Sequence, residues 1–343
     1  MSAYPQKLQH LIERACDLDP VQVAVVDAAQ SVVLETLRDA VTLGLVEPRL
    51  VGEPDAILAL CRNMGWAIDP AWIIPSASDV EAAARTVAMV RGGEADFLMK
   101  GNLHTDVLLR AVLDKDSGLR LPGRRVSHLF LVDVPGHDRL IGITDAAINI
   151  EPDLSAKAEI CQNAIDLFHI LGIAEPNVAV LSAVETVASG IVSSLDAACL
   201  TMMARRGQLT GAQVDGPLAF DNAISALAAK EKGIQSDVAG HADILLVPDL
   251  VSGNILAKAL EYLGRGVAAG VAVGLSVPVV LTSRADPASA RMASLAIAAL
   301  MHHHSKSATA PQNPPEGSVA AAPQPEHSCC PPSATAAIRE AAE

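Results

Sequence analysis

Val277-Pro278-Val279-Val280-Leu281-Thr282-Ser283-Arg284-Ala285-Asp286-Pro287 is the stretch whose reading decides the fold. It opens on a short β-branched apolar run at 277–281, the composition of a strand covered on both faces. Polar Ser283, Arg284 and Asp286 follow at once, and residues 290–301 read as an apolar helix. In open α/β sheets, ligands sit outside the carboxyl ends of the strands. A hydroxyl, a guanidinium and a carboxylate gathered at such an end face one ligand. The chemistry is expected there.

Outward from that stretch the chain alternates. Strands are read at 21–26, 50–52, 72–75 and 95–99, with helices at 6–16, 31–43, 55–64, 80–90 and 107–113. Ser78 and Asp79 are N-cap candidates for the fourth helix, and Gly92-Gly93 closes it. This β–α alternation points to an α/β fold with a mostly parallel sheet and helices on both faces. The pattern changes at 126–134 and 140–144, two strands separated by Pro135-Gly136-His137-Asp138, a hairpin-type connection. A lobe boundary is expected there. Helices at 156–171, 194–204, 222–230 and 255–263 then alternate with strands at 178–182, 213–215 and 243–247. The expected organisation is one α/β lobe from 1–132 plus 277–304, a second from 133–276, and a tail at 305–343. The tail is rich in Pro, Ala and Ser and cannot bury enough surface to offset its ordering entropy, so it is expected to be disordered.

Composition excludes several classes. At 50% hydrophobic and 19% charged residues, the 343-residue chain suits a buried parallel sheet. Aromatics at 2% leave almost no base-stacking surface, and a net charge of -14 argues against nucleic acid and anionic membrane. The six cysteines form no metal spacing, and Cys16, Cys61, Cys161 and Cys199 read as small core residues of helices. A reduced, cytoplasmic setting follows. Residues 6–16 are an amphipathic helix with Leu8, Leu11, Ile12 and Ala15 on one face, and not a signal peptide. The longest apolar stretch, 267–281, is short for a membrane span and is broken by glycines and Pro278. His302-His303-His304 reads as the junction to the tail and not as a metal site.

Polar residues concentrate at four junctions, 100–106, 215–222, 249–258 and 283–286. In the third, Ser252, Gly253 and Asn254 can present N–H groups at a helix N-terminus to an anion, with Lys258 one turn further on. A plain cap beside a solvated lysine is the alternative. Lys100 and Gly101 suit a phosphate, though the spacing is not that of a P-loop. Arg124 and Arg125 could neutralise phosphate or simply be solvated. Gly264-Arg265-Gly266 with Ala269 fits a dinucleotide fingerprint, and Asp286 lies about 20 residues on, but a helix precedes it where a strand is required. Asp286 before Pro287 is also a standard helix start, with the carboxylate as cap. Ser283 and Arg284 escape that explanation, because an arginine beside a hydroxyl before a helix suits phosphate.

These residues resemble the phosphate acetyltransferase and phosphate butyryltransferase family. The resemblance runs over about 21–300 and is carried by Leu98-Met-Lys-Gly-Asn-Leu-His-Thr105, Ile143-Thr-Asp-Ala-Ala-Ile-Asn-Ile150, Asp215-Gly-Pro-Leu-Ala-Phe-Asp-Asn-Ala223, Ala242-Asp-Ile-Leu-Leu-Val-Pro-Asp249 and Leu281-Thr-Ser-Arg-Ala-Asp286. It looks closest to the butyryltransferase-like branch. The resemblance implies a two-lobed α/β/α fold related to isopropylmalate dehydrogenase, a cleft between the lobes and a homodimer. It implies reversible acyl transfer between coenzyme A, a substrate here, and inorganic phosphate, through an acyl phosphate and with no metal or separate cofactor. It places Ser283 and Arg284 in the active site. The acetyltransferase branch has an aspartate base where this chain has Ala290, which leaves Asp286 as the nearest carboxylate.

The expected mechanism is direct attack of the thiolate on the acyl-phosphate carbonyl. Ser283, Arg284 and Asp286 are the expected catalytic residues. Lys100, Thr105, Arg125, Asn254 and Lys258 are the expected contacts to coenzyme A and phosphate. Two other readings stay open: a nicotinamide-dependent oxidoreductase on the related fold, and a catalytically silent coenzyme A-binding protein.

Overall fold

The computed structural model describes residues 6–283 and 286–309. Arg284 and the residues beyond 309 lie outside the described part. Helix α1 (Gln6–Cys16) leads into β1 (Val21–Val26), α2 (Ser31–Thr42), β2 (Val46–Gly52), α3 (Pro54–Asn63), β3 (Ile73–Pro75), α4 (Asp79–Arg91), β4 (Phe97–Lys100) and α5 (Thr105–Val112). The hairpin strands β5 (Ser127–Asp133) and β6 (Ile141–Thr144) follow, then α6 (Leu154–Ile170), β7 (Asn177–Leu181), α7 (Val192–Arg205) and β8 (Gln213–Leu218). The chain continues through α8 (Phe220–Ile224), α9 (Ala226–Glu231), β9 (Ile244–Leu246), α10 (Leu250–Tyr262), β10 (Val267–Val273), β11 (Val279–Val280) and α11 (Ala288–Thr309).

Among the described residues eleven strands join one sheet in the order β3-β2-β1-β4-β11-β10-β5-β6-β9-β7-β8. The first five are mutually parallel, as β1–β2, β2–β3, β1–β4 and β4–β11 all pair in that sense. The last four, β6, β9, β7 and β8, are likewise parallel to one another. Between the two blocks, β11–β10, β10–β5 and β5–β6 pair antiparallel. Three reversals leave the two blocks running in opposite directions. The carboxyl ends of β1, β4 and β11 therefore lie at one edge of the sheet, and those of β6 and β9 at the other. The sheet runs unbroken past the boundary read at 132/133, since β5 belongs to it along its whole length.

One face is covered by α1, α2, α3, α6, α7 and α11 through a continuous apolar core. On the other face α4 and α5 cover the first block and α8 to α10 the second. Helix α11 is buried nearly all round from Met292 to Leu300, as an apolar helix laid across a sheet must be. Gly142 on β6 is needed for close packing, because a Cβ there would stand 2.7 Å from the Phe168 ring of α6.

Several expected bounds move. The strand read at 277–281 shortens to Val279–Val280, and the apolar stretch before it is β10, turned back at Gly274 with φ 79°. The helix read at 222–230 is two, broken at Ser225, whose hydroxyl caps α9. Helix α11 continues to Thr309, five residues past the expected junction at 304. His302 Nε2 lies 3.2 Å and Lys306 Nζ 3.6 Å from Asp96, so this part of α11 is docked on the sheet edge. Helix α10 starts at Leu250, not at 255, because the Asp249 carboxylate caps it through the Ser252 N–H at 2.8 Å.

Candidate active site

The edge formed by the carboxyl ends of β1, β4 and β11 carries most of the expected residues. Strand β1 has β2 on one side and β4 on the other, so the chain reverses its direction of travel across the sheet there, the position where α/β sheets open a crevice. Lys100 ends β4 and is almost wholly buried. Asp27, one residue beyond β1 at φ 51°, is the counter-charge that reading the sequence missed. Burial and Asp79 push its carboxyl above the usual range, against the Ala29 N–H and Lys100. Its carbonyl accepts from the Asn102 N–H at 2.8 Å. A Cβ on Gly101 would stand 2.2 Å from that carbonyl oxygen, so the glycine admits a neighbouring strand end and not a ligand. Thr105 is exposed on the first turn of α5 at the same edge.

At the end of β11 the backbone folds onto a carboxylate. The Ser283 N–H donates to Asp286 Oδ2 at 2.6 Å, and the Asp286 N–H donates to the Ser283 carbonyl at 3.2 Å. Asp286 thus faces back toward Ser283, and among the described residues its carboxylate accepts from the Ser283 N–H and not from the N–H groups of α11. Asp286 is buried, with Lys258 Nζ 3.9 Å from its Oδ1. Burial pushes this carboxyl above the usual range, and Glu261 adds to the rise, while the Ser283 N–H, Lys258 and Arg291 oppose it. Lys258 is bonded to Glu261 at 2.7 Å and lies 5.6 Å from the Tyr262 ring centroid. Burial disfavours its charge, but Glu261, Asp286 and Tyr262 outweigh that and raise its pKa.

Arg291 is a second residue the sequence reading missed. It lies in the first turn of α11, is only 1% exposed, and donates through Nη1 to the Asp286 carbonyl and through Nη2 to the Ser283 carbonyl at 2.9 Å. An arginine inside an apolar helix gives no signal beyond the oddity of a charge on a buried stripe.

The expected anion site on α10 is corrected. The Ser252 N–H is taken by the Asp249 carboxylate, and the Gly253 N–H donates to the Asp249 carbonyl at 3.1 Å. Asn254, inside the helix, donates to the Ala146 carbonyl at 3.3 Å, toward the opposite edge. Arg125 precedes β5, whose Ser127 pairs with Val273 at the end of β10 remote from Ser283. It contacts Glu159 at 3.4 Å and Asn149 at 3.3 Å. The structure thus gathers Lys100, Thr105, Lys258, Ser283 and Asp286 at one edge, while Arg125 and Asn254 point elsewhere. Arg284 lies outside the described residues. The Gly264-Arg265-Gly266 fingerprint does follow α10 and precede β10, the wrong order for a dinucleotide turn. Among the described residues no helix is long and apolar enough to cross a membrane.

Comparison with known proteins identifies the family. The profile of the family described as Phosphate acetyl/butaryl transferase matches residues 75–299. A phosphate acetyltransferase of Rhizobium meliloti is 48% identical over 298 residues, covering 87% of this chain and 94% of that protein. A phosphate butyryltransferase of Clostridium acetobutylicum is 42% identical over 280 residues, covering 82% and 93%. Among solved structures, a branched-chain phosphotransacylase from Enterococcus faecalis V583 superposes with a TM-score of 0.73 at 29% identity, over 82% of this chain and 99% of that one. Relatives of both names align over similar shares of the chain, so the similarity shows the family as a whole and not one branch. By profile, by relatives and by fold, this chain belongs to the phosphate acetyl- and butyryltransferase family of acyltransferases.

Proposed function

We propose that the protein moves a short acyl group, acetyl or butyryl, reversibly between coenzyme A and inorganic phosphate at the carboxyl end of β11. The observation that carries this reading is Asp286, a buried carboxylate with a raised pKa, held by the Ser283 N–H and facing Lys258. A carboxylate shifted upward is the better proton acceptor for a thiol. In the forward direction Asp286 takes the thiol proton, and the thiolate sulfur attacks the acyl-phosphate carbonyl carbon. The tetrahedral intermediate collapses with cleavage of the carbon–oxygen bond, and phosphate leaves with the electron pair. In reverse, a phosphate oxygen attacks the thioester, and the departing thiolate recovers its proton from Asp286.

Ser283 supplies a hydroxyl to the developing oxyanion or to sulfur, and Arg284 neutralises the phosphoryl oxygens. Lys100, Lys258 and Thr105 contribute charge and a hydroxyl at the same edge. Arg125 and Asn254, committed to partners elsewhere, are left out of the reacting centre. Coenzyme A is a substrate and no further cofactor is assigned. The working unit is a homodimer, as the resemblance to the family implies, and sedimentation velocity checks it; the cysteine usage supports a reduced, cytoplasmic setting. The test of function is acetyl-CoA or butyryl-CoA incubated with phosphate while free thiol is followed. Phosphate-dependent thiol release is expected, and coenzyme A binding without such release would sink the reading.

A further inference from the structure

A guanidinium buried in the first turn of a helix is doubly disfavoured. Its desolvation is costly, and the helix dipole there repels a cation. Arg291 occupies that position with no exposed surface to speak of, and burial holds its pKa below the usual arginine value. What it gains is contact with both ends of the site segment. One arm of the fork reaches the Asp286 carbonyl, and the other reaches the Ser283 carbonyl at 2.9 Å. Those two residues are already tied by the Ser283 N–H to Asp286 Oδ2 bond and the Asp286 N–H to Ser283 O bond. The guanidinium therefore closes a ring that fixes the separation of the hydroxyl-bearing residue and the carboxylate.

We infer that Arg291 is a positioning residue for acyl transfer, its planar fork clamping the Ser283 and Asp286 carbonyls so that carboxylate and hydroxyl meet the substrates in one geometry. The inference rests on the assignment of Ser283 and Asp286 to the reacting centre. Lysine cannot replace this fork, because one ammonium on a flexible stem does not span two carbonyls in fixed directions. Misplacing reacting groups by about 1 Å costs on the order of a hundredfold in rate, so the clamp matters without touching substrate.

The groups facing the Asp286 carboxylate are Lys258 and Glu261 from α10, Arg291 from α11 and the Ser283 backbone. Removing Arg291 takes away one of the cations that oppose the rise, so the acid limb of the pH profile moves to higher pH. The experiment is steady-state kinetics of thiol release across acid and neutral pH for Arg291→Met, Arg291→Lys, Asp286→Asn and Arg291→Met/Asp286→Asn, with thermal melts of each.

For Arg291→Met the turnover number should fall by about tenfold to a hundredfold, with KM for acyl-CoA within about twofold. The limb should shift upward, and Arg291→Lys should recover part of the turnover together with the original limb. In the double variant the Arg291 change should cost less than it does alone, because the carboxylate it positions has already lost its function. Should Arg291→Met fail to fold, Arg291→Lys decides: reduced turnover supports the clamp, and wild-type turnover overturns it. A folded Arg291→Met with wild-type turnover and limb overturns the inference alone, provided Asp286→Asn is impaired. Full activity of Asp286→Asn overturns the site assignment and this inference together.

Discussion

Two buried aspartates stand at strand ends on opposite edges of the sheet, and their surroundings differ in kind. Asp145, just after β6, accepts from the N–H groups of His128 at 3.2 Å, Ala147 at 2.9 Å, Ile148 at 3.0 Å and Asn149 at 3.3 Å, and from Asn149 Nδ2 at 2.6 Å. Its lone pairs are occupied, and it knots the turn after β6 to the start of β5. Asp286 accepts one N–H among the described residues and looks across 3.9 Å to a lysine. A carboxylate saturated with fixed donors is a structural bolt. One with a part-filled shell in a desolvated place retains the capacity to take a proton. The difference is visible only when donors are counted.

The largest effect expected from this contrast is on catalysis. Asp286→Asn keeps the shape and can still accept the Ser283 N–H, but it cannot take a proton. Turnover at neutral pH should fall by about 10²–10⁴-fold, the range for loss of a general base, while the melting temperature stays close to wild type. Because the base form of wild-type Asp286 exists above its raised pKa, wild-type activity should fall as pH drops through that value. Full turnover in the Asn variant would put both aspartates in the structural class.

The second test concerns the Asp145 side. His128 is fully buried beside Asp145, and burial pushes its imidazole down to about 4 from 6.5, with Asp145 opposing. The unfolded state binds the proton first on acidification. The stability contributed by the neutral ring is complete above about 6.5 and is lost as pH falls from there through about 4. The loss amounts to roughly 3 kcal/mol for that group. Urea unfolding at several pH values in this window should show the decline in wild type and a flatter profile in His128→Gln. An equal slope in both proteins would remove His128 as the source.

Asp145→Asn should cost somewhat less, about 2–3 kcal/mol, since an amide turns two protons toward the N–H donors that one carboxylate oxygen had satisfied. Turnover per folded molecule should change little. A variant that melts normally but loses turnover would move Asp145 into the reacting class.

Much of this architecture was legible in the chain. The 3.6-residue pattern of Leu8, Leu11, Ile12 and Ala15 marks α1 at its observed bounds, and Pro135-Gly136-His137-Asp138 marks the hairpin that begins the reversal of the sheet. What the pattern could not reveal depends on partners distant in sequence. Strand β10 is hidden because Val267 to Val273 and the run up to Leu281 form one apolar stretch, and only pairing with β5 separates them. The start of α10 lies ahead of the expected 255 because the cap is Asp249. Ser283 and Asp286 stood out as polar residues after a strand. Arg291, which donates to their carbonyls, and Lys258, 3.9 Å from the Asp286 carboxylate, come from two helices, and no local spacing announces that convergence. Two reversals through β10 make β5 run in the same direction as β11, so Arg125, before the start of β5, lies at the edge away from Ser283, a consequence of topology that composition does not encode.

The smallest effect is expected at a third aspartate, which separates donor number from burial. Asp114, after α5, accepts from the Ser117 hydroxyl at 2.7 Å, the Ser117 N–H at 2.8 Å and the Asp116 N–H at 3.0 Å. Those donors, the Ser117 hydroxyl first, hold its carboxyl below the usual range, although it is fully exposed. With a depressed pKa, whatever stability it contributes is present above the unfolded value and lost as pH falls through the folded one. Water can take over each of these bonds, so none leaves a buried group unsatisfied when the side chain goes. Asp114→Ala should therefore shift the melting temperature by less than about 2 °C, as surface substitutions do, and leave turnover unchanged. If it fell as far as Asp145→Asn, donor count alone would govern these aspartates, and burial would lose its place in distinguishing the bolt from the base.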